Sequence, residues 1–321
     1  MSIAPKLVTI FGGSGFVGRY VAQRMAKEGW RVRVAVRRPN EALFVKTYGD
    51  VGQVEPILAN IRDEKSTRAA IIGADAVVNC VGILNETSKQ KFTDLQSKGA
   101  SQIAKLATEC GVKTFVHFSA IGADINSQSK YLKSKAEGEE LVKASFKNAV
   151  ILRPSIVFGA EDQFFNRFAT MAKLSPLIPL VGGETKFQPV YVDDIAKAAV
   201  KGVLGEAKRG IYELGGPQAA SFKELIIMLM GIIRRKRAIL NPDFSNVEVD
   251  DIITNLTRFE ISLPEKRQFF IDNGDLFGNF GGSREAVPFF SRRIGIARDR
   301  EGNTIQNNIL GGVRLSGKLD E

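Results

Sequence analysis

The chain has 321 residues, of which 44% are apolar and 25% charged, with a formal net charge of +10. That size and apolar content support a substantial packed core and exclude a disordered or fibrous chain. Two cysteines without metal-ligand spacing and a single histidine exclude a disulfide framework and a Cys/His zinc site; no metal is expected, and a reducing compartment fits.

The opening residues, MSIAPK, lead straight into an apolar run, so no signal peptide is expected there. Short β-rich runs then alternate with helical patterns: Leu7 to Phe11, Arg31 to Val36, Val54 to Leu58, Ala76 to Val81, Phe115 to Ser119 and Ala149 to Leu152. A helix is expected after Gly15, with Val17, Val21 and Met25 on one face, and another over Thr93 to Glu109. This alternation predicts a parallel sheet covered by helices on both sides.

The stretch TIFGGSGFVGRYVAQRM sets Gly12, Gly15 and Gly18 directly after the first strand, with Phe16 in the same turn. Absent side chains allow the tight turn, backbone approach to a pyrophosphate and close helix-to-strand packing, while the helix N-terminus favours the anion. A site that prefers NAD usually carries Asp or Glu about 20 residues further on, at the end of the second strand. Here that strand ends in AVRRP, and Arg37 and Arg38 offer positive charge to a 2'-phosphate, which favours NADP(H) over NAD(H).

Further along, Ser119 closes the fifth strand and SKYLKSKAEGEE opens a helix with Tyr131 and Lys135 four apart on one face. Two readings stay open for this pair. In the active one, Lys135 lowers the Tyr131 phenol pKa, Ser119 orients a substrate oxygen, and Tyr131 exchanges a proton as hydride moves. In the other, Lys135 and Tyr131 hydrogen-bond the nicotinamide ribose and only anchor the nucleotide. Just 11 residues separate Ser119 from Tyr131, a connection that offers little substrate-facing material. His117 is expected to pack inside the fifth strand, and Glu137, Glu139 and Glu140 to form a solvated helical face. Asp193 and Asp194 are read as helix N-terminal carboxylates. Phe164, Phe165 and Phe168 are spaced as a buried helical stripe.

Beyond Pro154, strand and helix patterns continue intermittently to SFKELIIMLMGII, where Ser221 and Glu224 make a capping box. Its apolar run, Leu225 to Ile233, is nine residues, well short of the ~20 that span a bilayer. The 45 basic residues are dispersed, so nucleic acid is not an expected partner; RRKR at Arg234 to Arg237 leaves peripheral membrane contact open.

Gly12, Gly15 and Gly18, NCVGI after the fourth strand, Tyr131-x-x-x-Lys135 and RPSIVFG together resemble the extended short-chain dehydrogenase/reductases. SAIGAD, SKYLKSKAEGEE, LRPSIVFGAEDQFFNRFA and QPVYVDDIAKA look like the atypical branch of the NADPH-binding accessory subunits of respiratory complex I, over about residues 5–235. The resemblance implies that Asp63 contacts adenine, that Val81 and Gly82 line the nicotinamide ribose, and that Pro154 with Ser155 borders the nicotinamide. It also implies a structural or assembly role for the bound cofactor, and the Ser119-to-Tyr131 connection is short beside that of the sugar-nucleotide epimerases of the extended group, so anchoring is preferred. The implied partner is complex I or its assembly intermediates, and the location cytoplasmic, peripheral on the inner membrane.

The expected architecture is α/β, a Rossmann-type doubly wound parallel sheet with a small, intermittent C-terminal lobe over residues 1–237, then an unrelated, irregular β-rich tail over 238–321. The tail resembles a fragment of a bacterial outer-membrane β-barrel family with a carbohydrate-binding-like domain. Two or three strands cannot close a barrel, so no pore is expected. The tail is expected to be poorly ordered and dispensable for nucleotide binding. Competing functions are an NADPH-dependent reductase or epimerase acting on a lipophilic or quinone-related substrate, and a membrane-surface interaction module.

Overall fold

The computed structural model describes residues 5–88, 90–243, 296–298, 304–306 and 312–316. In chain order the first elements are β1 (Leu7–Phe11), α1 (Phe16–Lys27), β2 (Arg31–Val36), a 3-10 segment (Pro39–Tyr48), β3 (Val54–Leu58), α2 (Glu64–Ile71) and β4 (Ala76–Asn79). A π-helical turn (Thr93–Lys98), α3 (Gly99–Glu109), β5 (Thr114–Phe118), α4 (Lys130–Ser145), β6 (Val150–Pro154), β7 (Val157–Phe158) and α5 (Phe165–Leu174) follow. Then come β8 (Leu177–Pro179), β9 (Lys186–Phe187), β10 (Val190–Tyr191), α6 (Val192–Leu204), β11 (Gly210–Leu214), β12 (Ala220–Ser221), α7 (Phe222–Ile232) and β13 (Ala238–Asp243). The last described strands are β14 (Ile296–Arg298), β15 (Thr304–Gln306) and β16 (Gly312–Ser316). Two compact units result, Met1–Arg167 with Lys186–Ala220, and Phe168–Thr185 with Ser221–Glu321.

The first unit holds a seven-stranded sheet in the order β11-β6-β5-β4-β1-β2-β3. All its pairs are parallel, with Ile10 opposite Val34 on one side and Val78 on the other. Such strands are covered on both faces and so read as unbroken β-branched runs. On one face Val8, Ile10, Val116 and Val150 pack with Val21 and Met25 of α1 and Ile195 and Ala199 of α6. On the other, Phe11, Val77 and Phe115 pack with Ile71 of α2, Ile103 and Leu106 of α3 and Val142 of α4. Strand order reverses between β1 and β4, and in such sheets ligands bind in the crevice beyond the carboxyl ends of the two strands at that point.

Local chemistry sets the element ends. β4 stops at Asn79, two residues before the expected end, because the Asn79 Oδ1 accepts the Val81 N–H at 3.0 Å and turns the chain. The expected helix from Thr93 begins as a π turn, which delivers Gln96 and Ser97 to α4. α4 can approach that turn because Gly138 has no side chain: a Cβ there would lie 2.2 Å from the Gln96 carbonyl oxygen. Asp63 caps α2, Ser129 caps α4, and α1 and α6 are tied by the Arg24 guanidinium on both Asp193 oxygens. Hydrogen bonding to Arg24 holds the Asp193 carboxyl below its ordinary value.

Phe164, Phe165 and Phe168 do not form the buried stripe that their spacing predicts. All three are half-buried, and Ala172 is the one fully buried residue of α5. In the first unit Phe164 and Phe165 instead meet edge to face at 5.1 Å, and Phe158 meets Phe165 at 6.3 Å and Tyr191 at 5.5 Å. In the second unit Phe168 packs edge to face on Phe222.

The second unit carries a three-stranded sheet in which β13 pairs in parallel with β8 and antiparallel with β16. The capping box of α7 is present as expected. This helix buries Leu225, Ile226, Leu229 and Met230 and exposes Ile227, Met228 and Ile232. Most of the tail whose short strands and loops were expected from sequence, residues 244–295, lies outside the described residues. Among the described residues, no helix is long and apolar enough to cross a membrane.

Candidate nucleotide site

The crevice at the reversal point is built from glycine backbone. Gly12 takes a left-handed φ of 72°, and its N–H donates to Ala35 O at 3.1 Å while its carbonyl accepts from Gly15 N at 3.0 Å. Gly18 lies against the loop: a Cβ there would sit 2.3 Å from the Gly12 carbonyl oxygen. A Cβ on Gly12 would meet Cys80 and Val81 backbone at 3.3 Å, so the loops after β1 and β4 are in contact. No acidic residue occupies the first turn of α1, whose leading amides have no intrahelical acceptor. This cradle of bare backbone and open amides fits a dinucleotide's pyrophosphate.

Arg19 guards the same loop, donating to Ser14 O at 3.1 Å and lying 4.9 Å over the Phe44 ring. Arg37 and Arg38 stand exposed just beyond β2, and Arg38 pairs with Glu41 at 3.0 Å. Asp63 is exposed and its carboxylate accepts the Lys65 N–H at 3.1 Å. At the far end of the crevice, Pro154 closes β6 opposite Leu214, and its carbonyl accepts from Ile121 N.

α4 lays Tyr131, Lys135 and Glu139 one turn apart. Lys135 is 5% exposed, and its Nζ donates to Phe118 O at 3.1 Å. A Cβ on Gly82 would come within 3.3 Å of that Nζ, so Gly82 and Lys135 adjoin as the cofactor reading requires. Burial pulls the Lys135 pKa down to about 8, against the upward pull of Glu139 and Cys80. Tyr131 packs edge to face on Phe92 at 5.8 Å, and burial pushes its phenol above the ordinary value. That shift is opposite to the lowering that the active reading needs.

Ser119 is buried, and its hydroxyl donates to Glu139 Oε1. Glu139 in turn takes a two-pronged contact from Arg153, Nε to Oε1 and Nη2 to Oε2, both 2.8 Å. Glu139 therefore does not belong to a solvated face: its side chain is 2% exposed, whereas Glu140 is exposed and pairs with Lys143. Glu137 does not lie on a solvated face either: it is half-buried, and its Oε2 accepts the Ser97 hydroxyl at 3.1 Å. A stretch as acidic as EGEE reads as solvent-facing, and only the docking of α4 separates the three carboxylates. The available signal was spacing, since Glu139 stands four residues beyond Lys135 on the same helical face. His117 is packed as expected. Its Nδ1 lies 3.2 Å from Asn79 Nδ2, and burial lowers its pKa to about 3, with the Lys135 charge acting the same way.

Residues 8–215 match the NAD dependent epimerase/dehydratase family, and residues 237–310 match a domain of unknown function, DUF5916. The resemblance of the tail to an outer-membrane β-barrel family finds no support in that second match. Among curated relatives, the chain is 37% identical over 238 residues to the Arabidopsis thaliana mitochondrial NADH dehydrogenase [ubiquinone] 1 alpha subcomplex subunit 9, covering 73% of this chain and 59% of that one. It is 28% identical to the Caulobacter vibrioides ceramide reductase, covering 60% of each. The chain thus spans about three-fifths of the length of these relatives. The Bordetella bronchiseptica enzyme WbmH, solved with NAD+, superposes with a TM-score of 0.62 at 19% identity, covering 74% of this chain and 85% of that one. With its glycine cradle at the strand-order reversal, its seven parallel strands and a family match over residues 8–215, the chain belongs to the NAD dependent epimerase/dehydratase family.

Proposed function

We propose that the chain holds NADP(H), in preference to NAD(H), as a fixed structural group. It does so as an accessory or assembly subunit of NADH:ubiquinone oxidoreductase, peripheral on the cytoplasmic face of the inner membrane. The observation that carries the structural role is the Ser119 hydroxyl: the group that would orient a substrate oxygen is committed to a buried carboxylate. Burial of the Tyr131 phenol supports the same reading, because a phenol held protonated donates a hydrogen bond well and accepts a proton poorly. The residues that would hold the nucleotide are the Gly12 to Gly18 loop with Phe16, Val81, Gly82, Tyr131, Lys135 and Pro154, with Asp63 near the adenine.

Arg37 and Arg38 support the choice of a 2'-phosphate. The Arg38–Glu41 pair is 76% and 68% exposed, and such surface pairs are worth at most about 1 kcal/mol, so a phosphate can displace the carboxylate. The relative named as a complex I subunit supports the partner, and the exposed Ile227, Met228 and Ile232 beside Arg234 and Arg235 support contact with a membrane surface. The aromatic cluster of Phe158, Phe164, Phe165 and Tyr191, together with the ceramide reductase likeness, favours a second reading as a reductase of a lipophilic carbonyl.

Purification from native membranes, with identification of bound nucleotide and neighbours, tests the first reading. The expected result is one NADPH per chain together with complex I subunits, and at least about a tenfold preference over NADH that the double variant Arg37→Ala/Arg38→Ala abolishes. Equal affinity for both coenzymes would overturn the NADP(H) assignment. Turnover of a lipid carbonyl that disappears in Tyr131→Phe would put the second reading in its place.

A further inference from the structure

Nucleotide anchoring leaves one investment unexplained, a carboxylate buried behind the lysine. Burying charge is costly unless it is matched, and Glu139 is matched twice, by the Arg153 fork and by Ser119. Arg153 in turn reaches Glu213 on the neighbouring strand at 3.4 Å. From the sheet edge inward the charges therefore alternate: Glu213, Arg153, Glu139, Lys135. The groups facing Lys135 come from every element around it. They are Glu139 on α4, Cys80 after β4, His117 on β5 and, through Glu139, Arg153 on β6, with Tyr131 one helical turn before Lys135 on α4. Burial keeps the Cys80 thiol, the His117 ring and the Tyr131 phenol neutral near pH 7, which leaves Glu139 as the anion among them.

We propose that Glu139 is a positioning residue. Clamped by Arg153 and Ser119, its carboxylate is the fixed counter-charge that keeps buried Lys135 an ammonium beside Gly82, and it thereby sets the alkaline limit of nucleotide binding. The proposal rests on the anchoring role of Lys135. One turn of helix separates the two side chains, so the carboxylate acts on Lys135 through space while its own hydrogen bonds point to the sheet. Lys135 spends one donor on Phe118 O, and as an ammonium it keeps two more for a ribose; a neutral amine keeps one fewer and lacks the attraction for a phosphate-bearing ligand.

Calorimetric titration of the full chain with NADPH between about pH 6.5 and about pH 9.5 tests this. Wild-type affinity is expected to be level below about pH 8 and to weaken above it, by at most about tenfold per pH unit. In Glu139→Gln the bend moves to lower pH by about one unit, while in Lys135→Arg, whose cation does not titrate, the alkaline bend is absent. A constant ratio between wild type and Glu139→Gln at every pH would mark Glu139 as merely structural and overturn the proposal, as would a bend that persists in Lys135→Arg. If Glu139→Gln does not fold, the double variant Glu139→Gln/Arg153→Gln serves: it removes the carboxylate together with the guanidinium that matches it, so no buried charge is left unpaired, the bend must still move to lower pH, and an upward or absent shift overturns the idea. Should wild type bind no nucleotide at any pH, the anchoring reading falls by itself. Titration of the Lys135 Nζ by heteronuclear NMR in the nucleotide-free protein then decides the charge coupling, with an unshifted midpoint in the variant counting against it.

Discussion

At the scale of single residues, His117 shows how the fold treats charge it has no use for. The ring on β5 is 1% exposed, its Nε2 finds no hydrogen-bond partner among the described residues, and burial takes its pKa from 6.5 to about 3. Between those two values the unfolded chain binds a proton that the native one refuses, so native stability falls as pH falls through that window. Replacement by a side chain that does not titrate removes this contribution. The stability gap between wild type and His117→Asn should therefore narrow on acidification by about 1.4 kcal/mol per pH unit between about pH 6 and about pH 4, measured by urea unfolding at each pH. A gap independent of pH would mean that the ring is protonated in the native protein. Lys135 is the contrasting case. It is buried to the same degree, yet it sits one turn from a carboxylate and at the mouth of the crevice.

Elements meet here through glycines placed where a methyl group has no room. Gly18 joins α1 to the loop after β1, and a Cβ there would lie 2.3 Å from one backbone atom and 2.8 Å from another, neither of which can rotate away. Gly18→Ala must push α1 off the sheet, at a cost of about 1 to 3 kcal/mol. The expected outcome is a lower melting temperature and a loss of the thermal shift that NADPH gives wild type; an unchanged shift would place the pyrophosphate elsewhere. The glycine spacing and the β-branched runs made this part of the fold legible in sequence, since both patterns are local. Arg38 was legible as a cation but not its pairing with Glu41, which arises only when the 3-10 segment turns back. Glu139 was not legible at all: local composition sends it to solvent, whereas Gly138 beside it lets the helix come close enough to bury it. The ends of strands were displaced by a residue or two for a similar reason, as at Asn79, where a side-chain acceptor and not the apolar pattern ends β4.

For the whole molecule, the division into two units carries a prediction about the tail. The glycine loop, Lys135, Glu139 and Arg153 all belong to the first unit, while β13 and β16 complete a sheet with β8 in the second. Truncation after Arg237 should leave NADPH affinity within about twofold of wild type but expose the β8 edge, so that hydrogen exchange speeds up over Leu177–Pro179. A large loss of affinity would show that the nucleotide depends on the second unit. The clamp between Arg24 and Asp193 has a different kind of consequence, for the order in which the protein is made. Beside α1, the same face of the sheet is covered over β4, β5 and β6 by Ile195, Ala196 and Ala199 of α6, and Asp193 of that helix lies 169 residues beyond Arg24. On the ribosome, that oily face must therefore wait, uncovered, until α6 at Val192–Leu204 has emerged, and a nascent chain stalled before that point is a natural client for a holding chaperone.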